Sequence, residues 1–313
     1  MPEVSVLIPN YNHAVYLRER IDSVLNQTYQ DFEVIILDDC SPDNSRDVIE
    51  EYRNHPKVSK IVWNETNSGT TFKQWEKGIS LAQGKYIWIA ESDDWCEVTL
   101  LDTLVSALKA NGDCVLAYAQ SYIVYNDNEI NWISRTKFLS EYVNGKVYIK
   151  KHLLKRNSVF NASMAIFRKD IYFRFSKEYT KFKFCGDWLF WIEAAKQGDV
   201  FVSGRVLNYF RKHGKDVSGK AYTSGFNFIE EVKVIQSLKN DDIITEEEYK
   251  EALLYRYYNY QKVVKQVSAE IKEQIDKLFF NNGQTSYKSF LISKYRLHSL
   301  KSKSKQLLKF FLS

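Results

Sequence analysis

The stretch VSVLIPNYNHAVYLRERIDSVLNQTYQDFEVIILDD, residues 4–39, decides the fold of the first part of the chain. It opens with a short apolar run, Val4–Ile8, which Pro9 and Asn10 end. Apolar residues at helical spacing follow, and Phe32–Leu37 is a second β-rich run that ends in two aspartates. A strand, a helix and a strand in this order predict two strands that pair in parallel.

The same alternation continues beyond this stretch. A polar turn precedes a helical pattern, and two further strand patterns flank another helix. These predicted elements are a helix over 46–53, a strand over 60–63, a helix over 72–82 and a strand over 86–90. The pattern predicts an α/β fold with a mostly parallel sheet flanked by helices.

The remainder of the chain has a different character. Residues 115–210 mix short strands and loops with one clear helix near Asp187–Lys196. Between Glu246 and Phe280 the apolar residues recur at helical spacing over many turns. We therefore expect a first domain over 1–221 and an α-helical C-terminal region over 222–313.

Composition and charge narrow the function classes. The chain has 313 residues with 15% aromatic residues, only 12 Gly and 4 Pro, so it is not a low-complexity or disordered polypeptide. Its net charge is +5, yet Lys277–Ser313 holds eight Lys or Arg and no acidic residue. The body is therefore slightly acidic, which argues against nucleic-acid binding along the whole chain.

Cysteine usage and hydropathy predict a location. The four cysteines are widely spaced without a CxxC pair, which argues against a disulfide framework or a zinc site. The start of the chain does not resemble a signal peptide, and no apolar run reaches the ~18 residues of a membrane span. We expect a cytoplasmic protein.

The end of the chain predicts a peripheral role at the inner face of the plasma membrane. An apolar stripe there is flanked by lysines, and its members are Leu297, Leu300, Leu307, Leu308 and Phe311. A basic amphipathic helix of this kind favours contact with anionic lipid. Packing of the helix on the body of the protein, or on a second copy in a homo-oligomer, is the alternative.

Acidic residues follow two of the predicted strands. Asp38 and Asp39 come after the second strand, and Glu91, Asp93 and Asp94 come after the fourth. Ligands of open parallel sheets bind beyond the carboxyl ends of the strands, so both clusters are expected to face one crevice. Crowded carboxylates repel unless a cation joins them, and a divalent cation that takes oxygen ligands is the natural partner. Solvated loop residues or helix caps are the alternative.

Two common phosphate-binding motifs are absent from the sequence. Neither GxGxxG nor GxxxxGK[ST] occurs. The crevice is therefore not expected to hold NAD, nor to hydrolyse ATP with the usual loop. Phosphates would be held through a metal and scattered polar groups.

Three motifs, taken in order, resemble a known family. VSVLIPNYN (Val4–Asn12), FEVIILDDCSPDNS (Phe32–Ser45) and NSGTTFKQWEKGISLAQGKYIWIAESDDW (Asn67–Trp95) resemble the donor half of the family 2 inverting glycosyltransferases, which have the GT-A fold. The resemblance implies a donor half over about 1–115 and an acceptor half over about 116–221. It also implies a nucleotide-sugar donor, here a UDP-sugar, and Mn²⁺ or Mg²⁺ as cofactor.

The resemblance also implies roles for individual residues. The donor-binding residues that it implies are Pro9, Tyr11, Asn12, Asp38, Asp39, Gly69, Lys73 and Asp93. The metal ligands that it implies are Glu91, Asp93, Asp94 and His213, the last in YFRKHGKDVS. Within these sets, the resemblance implies that Tyr11 lies against the nucleobase and that Asp39 reads the uracil edge. It also implies that the segment around His213 closes over the diphosphate.

The implied catalytic base is Asp187, in FCGDWLFW. Inversion at an anomeric carbon is an in-line displacement by an acceptor hydroxyl, whose proton a carboxylate accepts as the bond forms. An aspartate with an ordinary pKa near ~3.9 is already ionised at neutral pH. A simple helix N-cap is the alternative role for Asp187.

The sequence departs from the family pattern at three places. Glu91 stands where Asp is usual, Trp75-Glu76 stands where Arg-Asn is frequent, and Gly186 precedes the implied base where a second acid is common. These departures leave the identity of the donor more open than the fold.

Two other functions compete with the implied one. A sugar nucleotidyltransferase is expected to carry a glycine-rich loop after the first strand, but PNYNHAVYL has no glycine. A non-catalytic module that binds nucleotide sugars or glycans would bind a donor without turnover. We expect an enzyme that extends a cell-surface glycan or a lipid-linked acceptor.

Overall fold

The computed structural model describes residues 1–125, 129–134, 139–213, 224–282 and 285–297. The chain forms two compact units, Met1–Gly214 and Lys215–Ser313. The expected boundary at residue 221 falls outside the described residues. The division of the first unit into a donor half and an acceptor half stays a prediction.

Four parallel strands form the first part of the sheet, in the order β3-β2-β1-β4. The strands and the helices that connect them are β1 (Val4–Asn10), α1 (Ala14–Leu25), β2 (Phe32–Asp38), α2 (Ser45–Glu50), β3 (Val58–Trp63), α3 (Thr71–Leu81) and β4 (Tyr86–Ile89). Every residue of β1, β2 and β4 is buried, as expected for parallel strands covered on both faces. The predicted α/β architecture is thereby confirmed.

The sheet continues beyond β4 with strands of mixed direction. They are β5 (Trp95–Cys96), β6 (Cys114–Tyr125), β7 (Glu129–Ile133), β8 (Glu141–Val143), β9 (Ala165–Arg168) and β10 (Asp199–Lys212). From β4 the order is β9-β6-β10-β5, with β7 paired to β6 and β8 paired to β10. Strand β9 runs antiparallel to both of its neighbours, whereas β6 and β10 pair in parallel.

Helical segments of the second half of this unit lie between the strands. They are α4 (Leu100–Ala110), α5 (Gly145–Tyr148), a π-helical turn (Ile149–Leu153), a 3₁₀ turn (Ala162–Met164), α6 (Lys169–Tyr172), a 3₁₀ turn (Lys177–Lys181) and α7 (Gly186–Ala195). Helix α7 is apolar around almost its whole circumference, and Trp188 and Trp191 are both buried. A helix of this composition belongs to the core.

Strand direction decides which residues meet at the carboxyl edge of the sheet. The residues that follow each parallel strand lie at this edge. Strand β9 runs in the opposite direction, so the residues that precede it, which include Asn161 and Ser163, lie at this edge instead. Because β10 runs parallel to β6, which is itself antiparallel to β9, the end of β10 reaches the same edge. Segments far apart in sequence therefore converge there.

The second unit is mainly helical in its described part. Its helices are α8 (Phe226–Asn240), α9 (Glu246–Val263) and α10 (Ala269–Phe280), and residues 288–297 are helical as well. A short antiparallel pair, β11 (Asn281–Asn282) and β12 (Thr285–Ser286), follows α10. A capping box starts α9, in which Thr245 and Glu248 satisfy each other's backbone N–H groups. The Glu231 carboxylate and the Arg256 guanidinium, both buried, lie 3.2 Å apart and join α8 to α9.

A helix that crosses a bilayer must be both long and apolar. Within the described ranges, none is both long enough and apolar enough to cross a membrane. The basic stripe that predicts lipid contact falls almost wholly on residues 298–313, outside the described residues, so its role stays a prediction.

A buried polar network joins β1 to the loop before β4. Ser5 Oγ donates to Glu33 Oε1 at 2.6 Å and accepts from the backbone N–H of Gly84 at 2.8 Å. A Cβ atom at position 84 would lie 2.5 Å from the backbone nitrogen of Ser5 and 2.6 Å from the carbonyl carbon of Val4. Only glycine fits this close approach of two backbone segments.

We therefore expect Gly84→Ala to lower the free energy of unfolding of the first unit by about 1–3 kcal/mol, because backbone atoms cannot yield as a side chain does. Gly112→Ala is the control, since its Cβ would meet no atom within 4 Å, and its effect should stay within ~0.5 kcal/mol. All seven tryptophans precede residue 192, so urea unfolding followed by tryptophan fluorescence reports on this unit alone. Equal effects of the two substitutions would contradict the packing argument.

Candidate active site

Glu91 is the first of three acidic residues at the end of β4. Its carboxylate oxygen Oε1 accepts a hydrogen bond of 2.8 Å from the indole N–H of Trp75, on α3. Removal of this carboxyl group from water, together with the nearby charge of Asp93, raises the pKa of Glu91 to about 8. The side chain is therefore largely neutral at pH 7.

Asp94 is the most deeply buried of the three, with 1% of the residue exposed. Its Oδ2 accepts hydrogen bonds from Ser163 Oγ at 2.6 Å and from Asn161, and its Oδ1 accepts from the backbone N–H of Arg211 at 3.0 Å. The buried guanidinium of Arg20 lies 3.8 Å away. Burial, with the charge of Asp93 added, raises the pKa of Asp94 to about 7.

Asp93 faces a different environment, because two histidines surround its carboxylate. A hydrogen bond of 3.1 Å joins its Oδ2 to His213 Nε2. Burial raises the pKa of Asp93, but the hydrogen bond to His213 and the charges of His13 and His213 outweigh that effect and hold the pKa below its ordinary value. His13, Asp93 and His213 each offer one ligand atom, and these three atoms lie within 4.8 Å of one another.

Aromatic rings hold the end of β10 in place. The Arg211 guanidinium packs over the rings of Tyr16 and Trp95, at 4.6 and 4.3 Å from their centroids. Its Nε donates to the backbone carbonyl of Asp93 at 2.9 Å. Tyr16 also stacks on the imidazole of His213, with centroids 5.4 Å apart. These contacts position His213 beside Asp93.

Asp38 organises the loops that follow β1 and β2. Its carboxylate accepts from Asn10 Nδ2 at 2.8 Å and from the hydroxyl and backbone N–H of Ser41 at 2.6 and 3.0 Å. Ser41 Oγ in turn accepts from the backbone N–H of Asn12, which has a φ of +59°. The network leaves Tyr11 46% exposed at the carboxyl edge. Through these hydrogen bonds, Asp38 fixes the conformation of the two loops.

Asp39 organises the loop between β3 and α3. Its carboxylate accepts from Asn64 Nδ2 at 2.6 Å, from Gln74 Nε2 at 2.8 Å, and from the hydroxyl and backbone N–H of Ser68 at 2.8 and 2.9 Å. Only 4% of the residue is exposed. Gly69, with a φ of +84°, follows in this loop and is exposed.

Pro9 and Lys73 are two further donor-binding candidates, one buried in the sheet and one exposed on a helix. Pro9 is buried within β1, opposite Leu37 of β2. Lys73 lies exposed in the first turn of α3, and its ammonium group donates to the backbone carbonyl of Ser68 at 2.9 Å. The pocket role of both residues stays a prediction.

Asp187 lies in the first turn of α7, two residues after Cys185, which precedes the helix. Its Oδ1 accepts from the backbone N–H of Trp188 at 2.7 Å, and its Oδ2 accepts from Asn157 Nδ2 at 2.9 Å. The amino end of a helix carries partial positive charge, which stabilises a carboxylate there. The carboxylate is thus held in a fixed, half-buried position, and its role as base stays a prediction.

One short segment connects Asp187 with the carboxylates after β4. Asn157 donates to Asp187, and Asn161, four residues further on, donates to Asp94. Ser163, in the same segment, also donates to Asp94. The segment that enters the antiparallel β9 therefore contacts both groups, which are 93 residues apart in sequence.

Contacts with neighbouring residues account for two of the departures from the family pattern. Glu91 is longer than the usual Asp, and its carboxylate meets the indole of Trp75, which replaces the frequent Arg. Gly186 replaces an acid because a Cβ there would lie 2.6 Å from the carbonyl oxygen of Tyr179 and would also collide with the ring of Phe72.

The structure brings Asp93 and His213 together and places the other predicted metal ligands differently. The carboxylates of Glu91 and Asp94 accept hydrogen bonds from Trp75, Asn161 and Ser163, and neither belongs to the three-residue cluster. Their role as ligands stays a prediction. One carboxylate oxygen and one imidazole nitrogen are donors that Mn²⁺ accepts, so the residues present fit a divalent cation.

Sequence reasoning missed several residues of this site. They are His13, Arg20, Asn157, Asn161, Ser163 and Arg211. Of these, only His13 gave a usable signal, because a histidine in the loop after β1 must lie at the carboxyl edge. Arg20 lies on the predicted helix α1, but helical periodicity did not show that its guanidinium reaches Asp94. The others belong to segments whose direction the sequence pattern did not define.

Solved structures share this fold. The glycosyltransferase TarS of Staphylococcus aureus, residues 1–349 crystallised with UDP-GlcNAc, matches with a TM-score of 0.66 at 22% identity, over 88% of this chain and 79% of that chain. The mannosyltransferase PcManGT of Pyrobaculum calidifontis, solved with GDP-Man and Mn²⁺, matches with a TM-score of 0.56 at 15% identity, over 98% and 87% of the two chains. The fold is thus that of the GT-A glycosyltransferases.

Sequence comparison gives the family. The profile of Glycosyl transferase family 2 matches residues 5–174, which is more than half of the chain. The chain belongs to this family.

Curated relatives match over part of their length. Glycosyltransferase GlyG of Streptococcus pneumoniae serotype 4 is 32% identical over 130 residues, which is 41% of this chain and 42% of GlyG. Poly(ribitol-phosphate) beta-N-acetylglucosaminyltransferase TarS of S. aureus strain Mu50 is 25% identical over 266 residues, which is 83% of this chain and 44% of TarS. The chain thus spans less than half the length of both relatives.

The Trp75–Glu91 pair generates a testable prediction. Trp75→Phe keeps an aromatic ring in the core but removes the donor to Glu91, so we expect the free energy of unfolding to fall by about 1–3 kcal/mol. Trp132→Phe is the control, because Trp132 is 41% exposed, and its effect should stay within ~0.5 kcal/mol. Urea unfolding of the first unit, followed by the remaining six tryptophans, measures both. A Trp75→Phe protein as stable as the control would show that this hydrogen bond does not stabilise the first unit.

Proposed function

We propose that the chain is an inverting glycosyltransferase that moves a sugar from a UDP-sugar to a hydroxyl group of a cell-surface glycan or a lipid-linked acceptor. Family membership supports the reaction class, and the fold shared with TarS, which was solved with UDP-GlcNAc, supports the donor class. The activity of TarS, on poly(ribitol-phosphate), supports a cell-surface acceptor.

One observation carries the proposal: a single segment holds both Asp187 and Asp94. Asn157 and Asn161 donate to the two carboxylates from positions four residues apart. A base and the cation that accommodates the leaving diphosphate, proposed at Asp93 directly before Asp94, must stand on either side of the reacting carbon at a fixed separation. A shared segment provides such a separation.

In the proposed reaction Asp187 is the general base. Its carboxylate accepts the proton of the acceptor hydroxyl while the hydroxyl oxygen bonds to the anomeric carbon and the bond from that carbon to the diphosphate oxygen breaks. The nucleoside diphosphate leaves with the bonding electron pair. The amides of Asn157 and Trp188 orient the carboxylate, and the amino end of α7 keeps it ionised.

The donor would bind at the carboxyl edge of the parallel strands. Asp38 and Asp39 fix the loops that present Tyr11, Asn12 and Gly69 toward this edge. A divalent cation held by Asp93 and His213 would supply positive charge to the leaving diphosphate. The Mn²⁺ in the structure of PcManGT supports a cation of this kind.

A module that binds nucleotide sugars without turnover is the competing function. Glu91 and Trp75 depart from the family pattern, but they pair with each other and Asp187 keeps the geometry of a base. We therefore favour the enzyme. The two functions separate cleanly, because a module binds UDP and releases none from a UDP-sugar.

Release of nucleoside diphosphate from a panel of nucleotide sugars, with Mn²⁺, with Mg²⁺ and with EDTA, tests the proposal. We expect release from a UDP-sugar that needs the metal, since water can replace the acceptor slowly. UDP binding without release from any donor, even when candidate glycan acceptors are added, would favour the binding module.

Asp187→Asn tests the base. We expect it to lower release by about 100-fold or more, because a general base contributes 10²–10⁴-fold, while UDP binding is retained. Asp102→Asn is the matched control, since Asp102 also lies in the first turn of a helix, α4, but is exposed and far along the chain from the site. An Asp187→Asn protein that keeps more than about a tenth of the wild-type rate would remove Asp187 from this role.

A further inference from the structure

His13 lies beside the two residues to which the proposed function assigns the cation. Its imidazole meets that of His213 edge to face, with centroids 5.4 Å apart and an interplanar angle of 81°. One ligand atom from each of His13, Asp93 and His213 lies within 4.8 Å of the others, and all three residues are half-buried. Within the described ranges this is the one group of three such residues that comes this close.

We propose that His13 is a third ligand of the divalent cation, so that the site consists of two imidazole nitrogens and one carboxylate oxygen. This inference rests on the cation of the proposed function and adds a residue to it. Metal–ligand bonds of about 2.0–2.2 Å place two ligand atoms of one ion about 3–4.4 Å apart. A separation of up to 4.8 Å therefore needs only small side-chain movements.

The backbone and ring of His13 are both held in place. Its carbonyl oxygen accepts from the backbone N–H groups of Tyr16 and Leu17, at 2.9 and 3.0 Å, where α1 begins. Its Nδ1 forms a hydrogen bond of 2.9 Å with Ser92 Oγ, directly before Asp93. Histidines that bind metals commonly form a second hydrogen bond through the ring, which fixes its orientation.

The first turn of α1 contributes to the site twice. It begins just after His13, and Tyr16 from the same turn stacks on the His213 ring with an interplanar angle of 27°. The two histidines, 200 residues apart in sequence, are thus positioned by one helical turn. A pair held in this way is suited to bind one ion with little reorganisation.

The chemistry of the set predicts which metals it prefers. Mg²⁺ favours oxygen ligands, whereas imidazole suits transition metals, whose affinities rise from Mn²⁺ toward Cu²⁺. Two imidazoles and one carboxylate should therefore bind Mn²⁺ and Co²⁺ more tightly than Mg²⁺. The remaining coordination positions stay available for diphosphate oxygens or water.

Binding of Mn²⁺ to the full chain, with and without UDP, tests the inference. Electron paramagnetic resonance measures free Mn²⁺ directly and does not depend on turnover. We expect His13→Ala to weaken Mn²⁺ binding about 10-fold or more. His55→Ala is the control, because His55 lies in the loop before β3, at the opposite edge of the sheet, and Mn²⁺ binding should be unchanged. Far-ultraviolet circular dichroism checks that the variants fold.

His13→Asp separates a ligand from a residue that only supports the loop. This substitution replaces a nitrogen donor by an oxygen donor, so the preference for Mn²⁺ over Mg²⁺ should fall about 10-fold, measured by Mg²⁺ competition against Mn²⁺. A structural role predicts equal losses for both ions and an unchanged ratio.

The results on His13 test its role as a ligand independently of the proposed transferase activity. Unchanged Mn²⁺ binding in His13→Ala, or an unchanged metal ratio in His13→Asp, would overturn the role of His13 while UDP release and its loss in Asp187→Asn stand. No Mn²⁺ binding by the wild-type chain, even with UDP, would overturn the cation site as a whole. UDP release that is insensitive to EDTA would then still identify a transferase.

Discussion

Three carboxyl groups within four residues have to be accommodated where β4 ends, and most of the site follows from this constraint. Full ionisation of all three in a partly buried position would be strongly unfavourable. The structure resolves the conflict by giving each group a different environment. Glu91 meets an indole donor and Asp94 lies near the Arg20 guanidinium, and both have raised pKa values. Asp93 alone has a lowered pKa, beside the two histidines.

The same constraint explains why the departures from the family pattern occur as matched changes. A longer acid at position 91 reaches α3, and the residue it meets there, Trp75, is a hydrogen-bond donor with a large apolar ring. That ring packs on Phe72 and Phe190, with centroids 5.1 and 5.4 Å away. The close approach at Gly186 involves the same Phe72. The residues that depart from the family pattern therefore pack together in one region next to the site. Their presence does not imply that the site has lost its function.

The sequence pattern predicted the first four strands well, but it predicted only part of the site. Buried apolar runs ended by polar pairs are unambiguous, so β1, β2 and β4 and the acidic residues after them were predicted at their observed places. The antiparallel direction of β9 carries no signal in periodicity, because a strand has the same alternation in either direction. For this reason Asn157, Asn161 and Ser163, which this direction brings to the acidic cluster, were not predicted. Asp38 and Asp39 were predicted at the correct edge, but the pattern could not show that their carboxylates accept hydrogen bonds from the neighbouring loops.

Asp93 and Asp187 lie in different environments, which suit the different tasks that we propose for them. Asp93 lies among imidazoles, whose nitrogens can share a cation with it, and its lowered pKa keeps it charged. Asp187 accepts hydrogen bonds from the amides of Asn157 and Trp188, which orient its carboxylate. The segment before β9 donates hydrogen bonds to Asp187 and to Asp94, so a shift of that segment would alter the distance between the proposed base and the carboxylates after β4. The precision of the site therefore depends on the packing of β9 between β4 and β6.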